Sequence, residues 1–264
     1  MALPKGVYAA CTKNGTPYYR VSITYKNKHI SLGSYTNITD ASNAYLEADL
    51  ILHSDMDLHI YNEETHFLDF AKWVSLMNFR DHGMYFKTPI YLQNKYFLYY
   101  FSPSFSLKFD VDDLFYYSTH TIMRRNGYLF VADYGMQVNI LSRYGIRSHA
   151  VPGRDYIFAN GDETDYRYNN IKIINRYYGV QSITKDGRTL YKVKIHINGD
   201  FVVGTYQSET EAAIAYNKAA AVLRERGITI NYPENYIDDI SSIQYASIYN
   251  SVKLSKKIRE YKNC

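Results

Sequence analysis

One stretch of the sequence, residues 178–236, decides how the chain around it folds: YGVQSITKDGRTLYKVKIHINGDFVVGTYQSETEAAIAYNKAAAVLRERGITINYPENY. Within residues 191–197 apolar and polar side chains alternate without a break, which is typical of a strand with one buried face. The buried face is predicted to carry Tyr191, Val193, Ile195 and Ile197, and the polar face Lys192, Lys194 and His196.

A second short strand and a helix complete this unit. Residues 201–206 follow an Asn-Gly-Asp turn, so they form a hairpin with the preceding strand. Ser208 and Glu211 have the spacing of a capping box, and Gly227 is a natural end for the helix. The helix face that packs on the sheet is predicted to be Ala212, Ala215, Tyr216, Ala219, Ala220 and Leu223.

The same pattern occurs a second time, in residues 6–52. Counted from Gly33 in the first copy and Gly204 in the second, four residues fall at equal distances without a gap: Ala41 and Ala212, Tyr45 and Tyr216, Ala48 and Ala219, Leu52 and Leu223. Four such matches indicate an internal repeat. In the first copy Tyr19, Val21, Ile23 and Tyr25 are predicted to face inward, and Thr39 or Asn37 to cap a helix that ends near Leu52.

Both copies resemble AP2 domains, a family of plant transcription factors and of many phage-borne endonucleases. The residues that carry the resemblance are Gly179-Val180, Val203-Gly204-Thr205-Tyr206, Ala212-Ala213, Ala215-Tyr216, Ala219-Ala220 and Ile230-Asn231-Tyr232-Pro233, and in the first copy Gly6-Val7 and Leu32-Gly33-Ser34-Tyr35. The first copy lacks the Asn-Phe-Pro-like ending of the family. In that family a three-stranded sheet lies in the DNA major groove, so the resemblance implies double-stranded DNA binding by two sheets.

The polar sheet faces supply the candidate DNA-binding residues. These are Arg20, Ser22, Thr24, Lys26 and His29 in the first copy and Lys185, Lys192, Lys194 and His196 in the second. Family members read the groove mostly with arginine and tryptophan, because arginine pairs bidentately with guanine. Here Arg20 is the one arginine predicted to face outward, and lysines hold phosphates but specify little. The alternative is that each polar face is the solvated side of an antiparallel sheet.

Composition favours an intracellular protein whose positive charge is concentrated in one region. The net charge is +4; residues 1–62 carry 5 basic and 5 acidic side chains, residues 63–175 carry 12 and 12, and residues 176–264 carry 13 and 9. Two cysteines are too few for a disulfide framework or a zinc site. There is no signal-peptide pattern and no apolar run of about 20 residues, so no membrane partner is expected. Thirty tyrosines, with many Asn, Ile and Lys residues, suggest an AT-rich viral, phage or bacterial genome.

The central residues, 63–175, are predicted to form a separate α+β domain. Residues 66–79 have the spacing of an amphipathic helix that buries Phe67, Phe70, Trp73, Val74 and Met77, and residues 90–101 and 105–109 are predicted strands. Residues 111–175 resemble an HNH endonuclease domain of the phage type. The motifs that carry this resemblance are Asp112-Asp113, Asn126-Gly127-Tyr128, Asn160-Gly161-Asp162, and Asp165, Arg167 and Asn170-Ile171.

The chain departs from the HNH pattern at the residues that the chemistry needs. In that family a histidine activates water, and an Asp-His pair with a further Asn holds one divalent metal, as phosphodiester cleavage requires. Here the Asp-His pair falls on Ile157-Phe158, and the first histidine falls near Ser142 or Tyr144. His149, in a connecting loop, is the one histidine nearby and the only candidate for metal or catalytic duty. No cofactor or metal is expected, and catalysis is expected to be lost.

The sequence therefore predicts an α+β protein of four segments. Residues 1–62 and 176–236 form AP2-like domains, residues 63–175 a degenerate HNH-like domain, and residues 237–264 a basic helical tail, which is either solvated or in contact with phosphates. Two functions fit. One is a DNA-binding protein descended from an HNH homing endonuclease. The other is a viral or phage inhibitor that binds a host protein, with the aromatic residues between positions 67 and 117 as anchors.

Overall fold

A computed structural model describes residues 3–62 and 64–262 of the chain. It is a mixed α+β protein, as the sequence predicts, and it contains several small three-stranded antiparallel sheets. The chain divides into two compact units, Met1–Ile140 with Asp162–Asn170, and Leu141–Gly161 with Ile171–Cys264. Residues 63–175 contribute to both units, and the segment boundaries at residues 62, 175 and 236 stay predictions.

The first unit begins with a sheet and one helix across its back. The strands pair antiparallel in the order β1-β2-β3, and the helix α1 contacts all three. Their bounds are β1 Val7–Cys11, β2 Pro17–Tyr25, β3 Lys28–Tyr35 and α1 Ile38–His53. Of the two cap residues that the sequence left open, Asn37 caps α1, because its side chain accepts a hydrogen bond from N of Asp40 at 2.7 Å.

A second helix and two further antiparallel sheets complete the first unit. They comprise α2 Phe70–His82, β4 Ile90–Leu92, β5 Tyr96–Ser102, β6 Phe105–Asp110, α3 Leu114–Thr119, β7 Ile122–Arg125, β8 Tyr128–Asp133 and β9 Met136–Asn139. Residues 90–101, predicted as one strand, form a hairpin instead, because residues 93–95 turn the chain. The predicted helix at residue 66 begins only at Phe70, because Asp69 caps it by accepting a hydrogen bond from N of Lys72 at 2.6 Å.

The second unit contains a two-stranded sheet, a three-stranded sheet and three helices in its described part. The elements are β10 Tyr156–Phe158, β11 Ile171–Ile173, β12 Val180–Lys185, β13 Arg188–His196, β14 Asp200–Tyr206, α4 Glu209–Glu225, α5 Ser242–Ser251 and α6 Lys256–Arg259. The sheet order is β12-β13-β14, and α4 lies across it. Ser208 caps α4 by accepting a hydrogen bond from N of Glu211, and Gly227 follows the helix with a φ of +83°.

The repeat seen in the sequence is also a repeat of three-dimensional structure. In both sheets the central strand shows a register shift against the third strand at the same place, after Val21 in one copy and after Val193 in the other. Val21 pairs with Gly33 and Val193 pairs with Gly204, which are the two glycines from which the repeat was counted. β-Bulges are regular features of a fold, so a bulge at equivalent residues of both sheets supports the structural repeat.

The alanine-rich face of α4 packs against its sheet as predicted. All six residues assigned to that face from the sequence are buried, from 0% to 6% exposed. Alanine leaves no side chain between helix and sheet beyond its methyl group, so the two backbones approach closely. Ala213 and Ile214, on the other side of the helix, are also fully buried, and they belong to the same core as residues of the C-terminal segment.

The C-terminal segment is part of this core, which corrects the prediction of a solvated helical tail. The predicted helix spans residues 252–263; in its described part, residues 252–262, only Lys256–Arg259 is helical. Val252, Leu254 and Ile258 are 9%, 7% and 0% exposed and pack in the core of the second unit. The apolar residues Val252, Leu254 and Ile258 were predicted to form one face of a helix. They lie instead on a non-helical segment, residues 252–255, and on the single helical turn that follows it.

Candidate nucleic-acid interface

The outward face of the second sheet carries a row of basic side chains along β13. Strand alternation buries Val193 and Ile195 and turns Lys192, Lys194 and His196 to the other face. Successive side chains on one face of a strand lie about 6.7 Å apart, twice the rise per residue. The three basic side chains therefore form a line on one strand, as the sequence predicted.

Two further basic residues extend this row at the hairpin that joins β12 and β13. Lys185 pairs with Arg188 across the Asp186-Gly187 turn, and both are exposed. Arg188 lies on the same face as Lys192, an even number of residues away. This corrects the expectation that Arg20 is the one outward arginine on the strands. The signal was present in the sequence as a Lys and an Arg flanking a two-residue Asp-Gly turn.

Asp200 opposes this row at the far end of the sheet. It pairs with His196 across the hairpin, and its carboxylate lies 3.2 Å from Nδ1 of His196 and 3.8 Å from Nζ of Lys194. All three side chains are at least 40% exposed, so each pair contributes little to stability. The consequence is for binding, because the carboxylate reduces the positive potential at Lys194 and His196.

The loop formed by residues 145–155 brings two arginines to the second sheet, which sequence reasoning missed. Arg154 lines a cleft of about 270 Å³ together with Lys194, His196 and Asp200. The Arg154 side chain is 50% exposed, so it is accessible to an anion. No local pattern linked these residues, because Arg154 and Lys194 are 40 positions apart in the chain.

A buried carboxylate holds this loop in place. Asp155 is 1% exposed, and it accepts hydrogen bonds from Arg147 at 2.9 Å and from Arg154 at 2.7 Å. Burial by itself would raise the pKa of Asp155, but the hydrogen bonds from Arg154 and from N of Val151, with the charge of Arg147, outweigh it and lower the pKa below its ordinary value.

Arg147 is the structural member of this network. It donates to the carbonyl oxygens of Asn175 and Tyr177, and its guanidinium lies 5.5 Å from the ring centre of Tyr178. Burial lowers the pKa of Arg147, against the opposing charge of Asp155. The guanidinium of Arg147 therefore holds the loop through bonds to backbone carbonyls and Asp155, whereas the side chain of Arg154 is the more exposed of the two.

The first sheet presents the equivalent positions with less charge. The register shift follows Val21 in the first sheet and Val193 in the second, so these two valines are equivalent. The residues around them are equivalent as well, which matches Arg20, Ser22 and Thr24 to Lys192, Lys194 and His196. Ser22 pairs with Ser31, and Thr24 pairs with His29, whose Nδ1 lies 3.4 Å from the Thr24 hydroxyl. The predicted polar face is present, but it contains one arginine where the second sheet has two lysines and a histidine.

Lys26 does not lie on the first polar face, which corrects its predicted position. It occupies the two-residue turn between β2 and β3 with a φ of +43°. Its ammonium donates a hydrogen bond to the carbonyl oxygen of Arg80 at 3.3 Å and lies 5.2 Å from the ring centre of Tyr25. The turn points the side chain toward helix α2 and away from the polar face.

The HNH-like positions do not converge on a metal site in the described part of the chain. Ile157 and Phe158 lie in β10, and His149 is an exposed residue with a φ of +64° in the loop before it. Across residues 3–62 and 64–262, no group of three or more His, Cys, Asp or Glu side chains is placed to hold a metal ion. His120 has a structural environment, stacked on Tyr116 with ring centres 4.2 Å apart.

The two units differ in charge. The second unit contains 17 Lys and Arg and 10 Asp and Glu, a net charge of +7, whereas the first contains 13 and 16, a net charge of −3. None of the helices in the described residues is long and apolar enough to cross a bilayer. No family model, no curated protein and no solved structure matches the chain.

Proposed function

We propose that this chain is a double-stranded DNA-binding protein that contacts the phosphate backbone with the outward face of its second sheet. The observation that carries the proposal is the row of Lys185, Arg188, Lys192 and Lys194 on one face, inside the unit with the net charge of +7. A basic face of this kind is the electrostatic footprint of a nucleic-acid-binding protein. Arg154 extends it from the neighbouring loop.

The chemistry of this row supports binding with little sequence selectivity. Lysine ammonium groups contact phosphates as point charges, whereas base readout depends mainly on Arg, Asn and Gln side chains that pair bidentately. Of the row, only Arg188 has such a side chain. The proposal includes descent from an HNH homing endonuclease of phage or viral origin and action inside the host cell, both of which rest on the resemblance of the motifs.

Salt dependence of binding tests the proposal directly. Fluorescence anisotropy of a labelled random-sequence duplex would be measured with the full chain at about 50 and 200 mM salt. We expect binding that collapses at the higher salt, because every neutralised phosphate releases counterions. Lys192→Ala and Lys194→Ala should each weaken binding across all sequences and reduce the slope of log K against log salt by about 0.9.

Two matched variants separate the sheet from other basic surfaces of the same unit. Lys172→Ala removes an exposed lysine in β11, outside the three-stranded sheet, and should leave the affinity unchanged. Lys256→Ala removes an exposed lysine of the C-terminal segment. A loss with Lys256→Ala as large as that with Lys194→Ala would assign the phosphate contacts to the C-terminal segment, and no binding at either salt would contradict DNA binding altogether.

A nuclease assay tests whether the chain has lost the ancestral chemistry. Plasmid DNA would be incubated with the protein and Mg²⁺ or Mn²⁺, with His149→Ala as the comparison. We expect no cutting above background, because Ile157 and Phe158 stand where the HNH pattern has Asp and His. Cutting that His149→Ala abolishes would show an active metal-dependent site.

The structure narrows the set of aromatic residues that could anchor a host protein. Of the 17 aromatic side chains between positions 67 and 117, seven are buried, among them Trp73, Phe97, Tyr99, Phe109 and Tyr117, which are at most 1% exposed. Phe67 and Phe115 are 40% and 86% exposed, and the other eight are half-buried. A protein partner would therefore contact this region at Phe67, Phe115 and the half-buried aromatic side chains.

A further inference from the structure

The internal repeat contains a third segment beyond the sheet and its helix. Tyr35 and Tyr206 are equivalent tyrosines two residues after Gly33 and Gly204. The hydroxyl of Tyr35 donates to the carbonyl oxygen of Phe67 at 3.0 Å, and that of Tyr206 donates to the carbonyl oxygen of Lys253 at 2.8 Å. Residues 67–69 and 253–255 are thus equivalent segments.

The two segments share their next features as well. Each places a leucine in the core directly after the bonded carbonyl, Leu68 at 1% and Leu254 at 7% exposed. Each then provides the N-cap of the helix that follows, Asp69 for α2 and Ser255 for α6. A gap-free comparison of the two copies misses this segment, because it lies 32 residues after Tyr35 in the first copy and 47 residues after Tyr206 in the second, a difference of 15.

In the second unit this segment closes the edge of the sheet. N of Ser255 donates to the carbonyl oxygen of Val203 at 2.7 Å, and its hydroxyl donates to that of Val202 at 2.7 Å. These two carbonyls belong to β14, the third strand of the sheet. The strand edge is therefore covered by the chain itself, which is one way in which proteins protect an edge strand.

In the first unit, within the described residues, the equivalent segment makes no such bonds to this edge, and the carbonyl oxygen of Leu32 accepts a hydrogen bond from the Tyr35 hydroxyl at 3.3 Å. The equivalent residues of β3 are Ser31 and Leu32, and no hydrogen bond joins them to Asp69 within residues 3–62 and 64–262. A groove of about 590 Å³ runs along this edge, with Asp69, Lys72 and Tyr85 on its other side. An open strand edge presents a row of backbone N–H and C=O groups that another extended chain can pair with.

The rim of the groove is basic. Lys28 and Lys72 both approach the ring of Tyr85, with Nζ 5.9 Å and 5.6 Å from the ring centre, and Lys87 also lines the groove. The single acidic lining residue is Asp69, whose carboxylate already accepts a hydrogen bond from N of Lys72. The groove therefore has unmatched positive charge within a unit whose net charge is −3.

We propose that this groove binds an extended acidic segment of a partner protein, which pairs with the outer edge of β3 and places carboxylates beside Lys28, Lys72 and Lys87. In the second unit the equivalent edge, that of β14, does bind a chain segment in this position, through Ser255. A second copy's C-terminal segment does not fit the charge, because residues 253–262 contain five basic residues and one acidic residue. Duplex DNA offers no strand to match the backbone groups of the edge.

Binding of a synthetic peptide tests the proposal on the full chain. The probe is a fluorescein-labelled decapeptide of alternating Glu and Val, followed by anisotropy, with the same peptide carrying Lys in place of Glu as the control. We expect the Glu peptide to bind and the Lys peptide not to. Two further peptides would carry N-methyl groups on the backbone, one at the odd and one at the even positions. Only one of them should fail to bind, because an added strand makes hydrogen bonds along only one of its edges.

Charge-reversal variants locate the site. Lys87→Glu should weaken binding of the Glu peptide about tenfold, the change expected from about 1.4 kcal/mol. Lys95→Glu, an exposed lysine in the β4–β5 turn that does not line the groove, should leave it unchanged. Failure of the Glu peptide to bind, or equal affinity for both variants, would overturn the proposal. Displacement of the peptide by duplex DNA with the same dependence on Lys87 would assign the groove to nucleic acid instead.

Discussion

Gly179 lies so close to the ring of Tyr216 that a Cβ at this position would be 2.3 Å from Cδ2 of the ring and 2.4 Å from the carbonyl oxygen of Lys194. The first copy repeats the relationship, with Gly6 against Tyr45 at 2.1 Å. Both glycines also have a positive φ, +69° and +73°. A glycine before the first strand and a tyrosine in the helix therefore set how closely the helix approaches the sheet in each copy.

This relationship predicts a large loss of stability for Gly179→Ala. The added methyl group must displace the Tyr216 ring or the backbone of β13, and alanine also disfavours the positive φ, so we expect a loss of about 3 kcal/mol. Urea unfolding followed by circular dichroism measures it. Gly187→Ala is the control, because its φ is +71° but no atom lies within 4 Å of the added Cβ. We expect about 1 kcal/mol there, and equal losses at both positions would refute the close-approach argument.

The buried position of Ile258 predicts that the C-terminal segment stabilises the second unit. Ile258→Ala should cost about 2–5 kcal/mol, since it deletes a side chain that is 0% exposed. Ile243→Ala removes the same atoms from a side chain that is 81% exposed, and should stay within about 0.5 kcal/mol of the parent protein. The midpoint of urea unfolding is the measurement, and a small effect at Ile258 would restore the solvated tail that the sequence predicted.

Removal of the Asp200 charge should strengthen DNA binding. Asp200→Asn frees Lys194 and His196 from the carboxylate and removes a negative charge from the face proposed to meet phosphates. We expect an affinity about threefold higher at about 50 mM salt, with the gain fading at higher salt. Asp239→Asn, at an exposed carboxylate paired with Arg176, is the charge-matched control. A gain of the same size with Asp239→Asn would reflect net charge alone.

The lowered pKa of Asp155 predicts that the second unit loses stability in acid. A carboxyl whose pKa is lower in the folded than in the unfolded protein contributes stability above its unfolded pKa, about 3.9, and this contribution is lost as the pH falls through the folded value. Asp155→Asn should therefore destabilise the protein by about 2 kcal/mol at neutral pH and flatten the acid side of the stability curve. Unfolding free energies from pH about 6 to 2 measure this.

Asp186→Asn is the control for the acid prediction. Asp186 lies exposed in the Asp-Gly turn with a φ of +50°, which asparagine also tolerates. Its replacement should leave both the neutral stability and the acid dependence unchanged. An acid dependence that survives in Asp155→Asn would show that other carboxyls, such as Asp165 with its own lowered pKa, control acid unfolding.

The sequence by itself determined the sheet-and-helix units. Alternation along residues 191–197, the cap at Ser208, the end near Gly227 and the repeated helix spacing are all local signals, and the structure has each of them. Such signals are reliable because strand faces, caps and helix faces depend on residues within a few positions of one another. The row of Lys192, Lys194 and His196 follows from the same alternation. The AP2 and HNH resemblances, and the function they imply, stay proposals.

Only the tertiary structure decided which distant segments meet these units. Arg154 reaches the cleft beside Lys194, Ser255 covers the edge of β14, and the equivalent edge of β3 lines a groove. Lys26 lies in the turn between β2 and β3, and the carbonyl oxygen that its ammonium contacts belongs to Arg80, 54 positions away. None of these contacts has a local pattern, since each depends on where a chain segment packs after dozens of intervening residues, and that is settled by burial of the whole core.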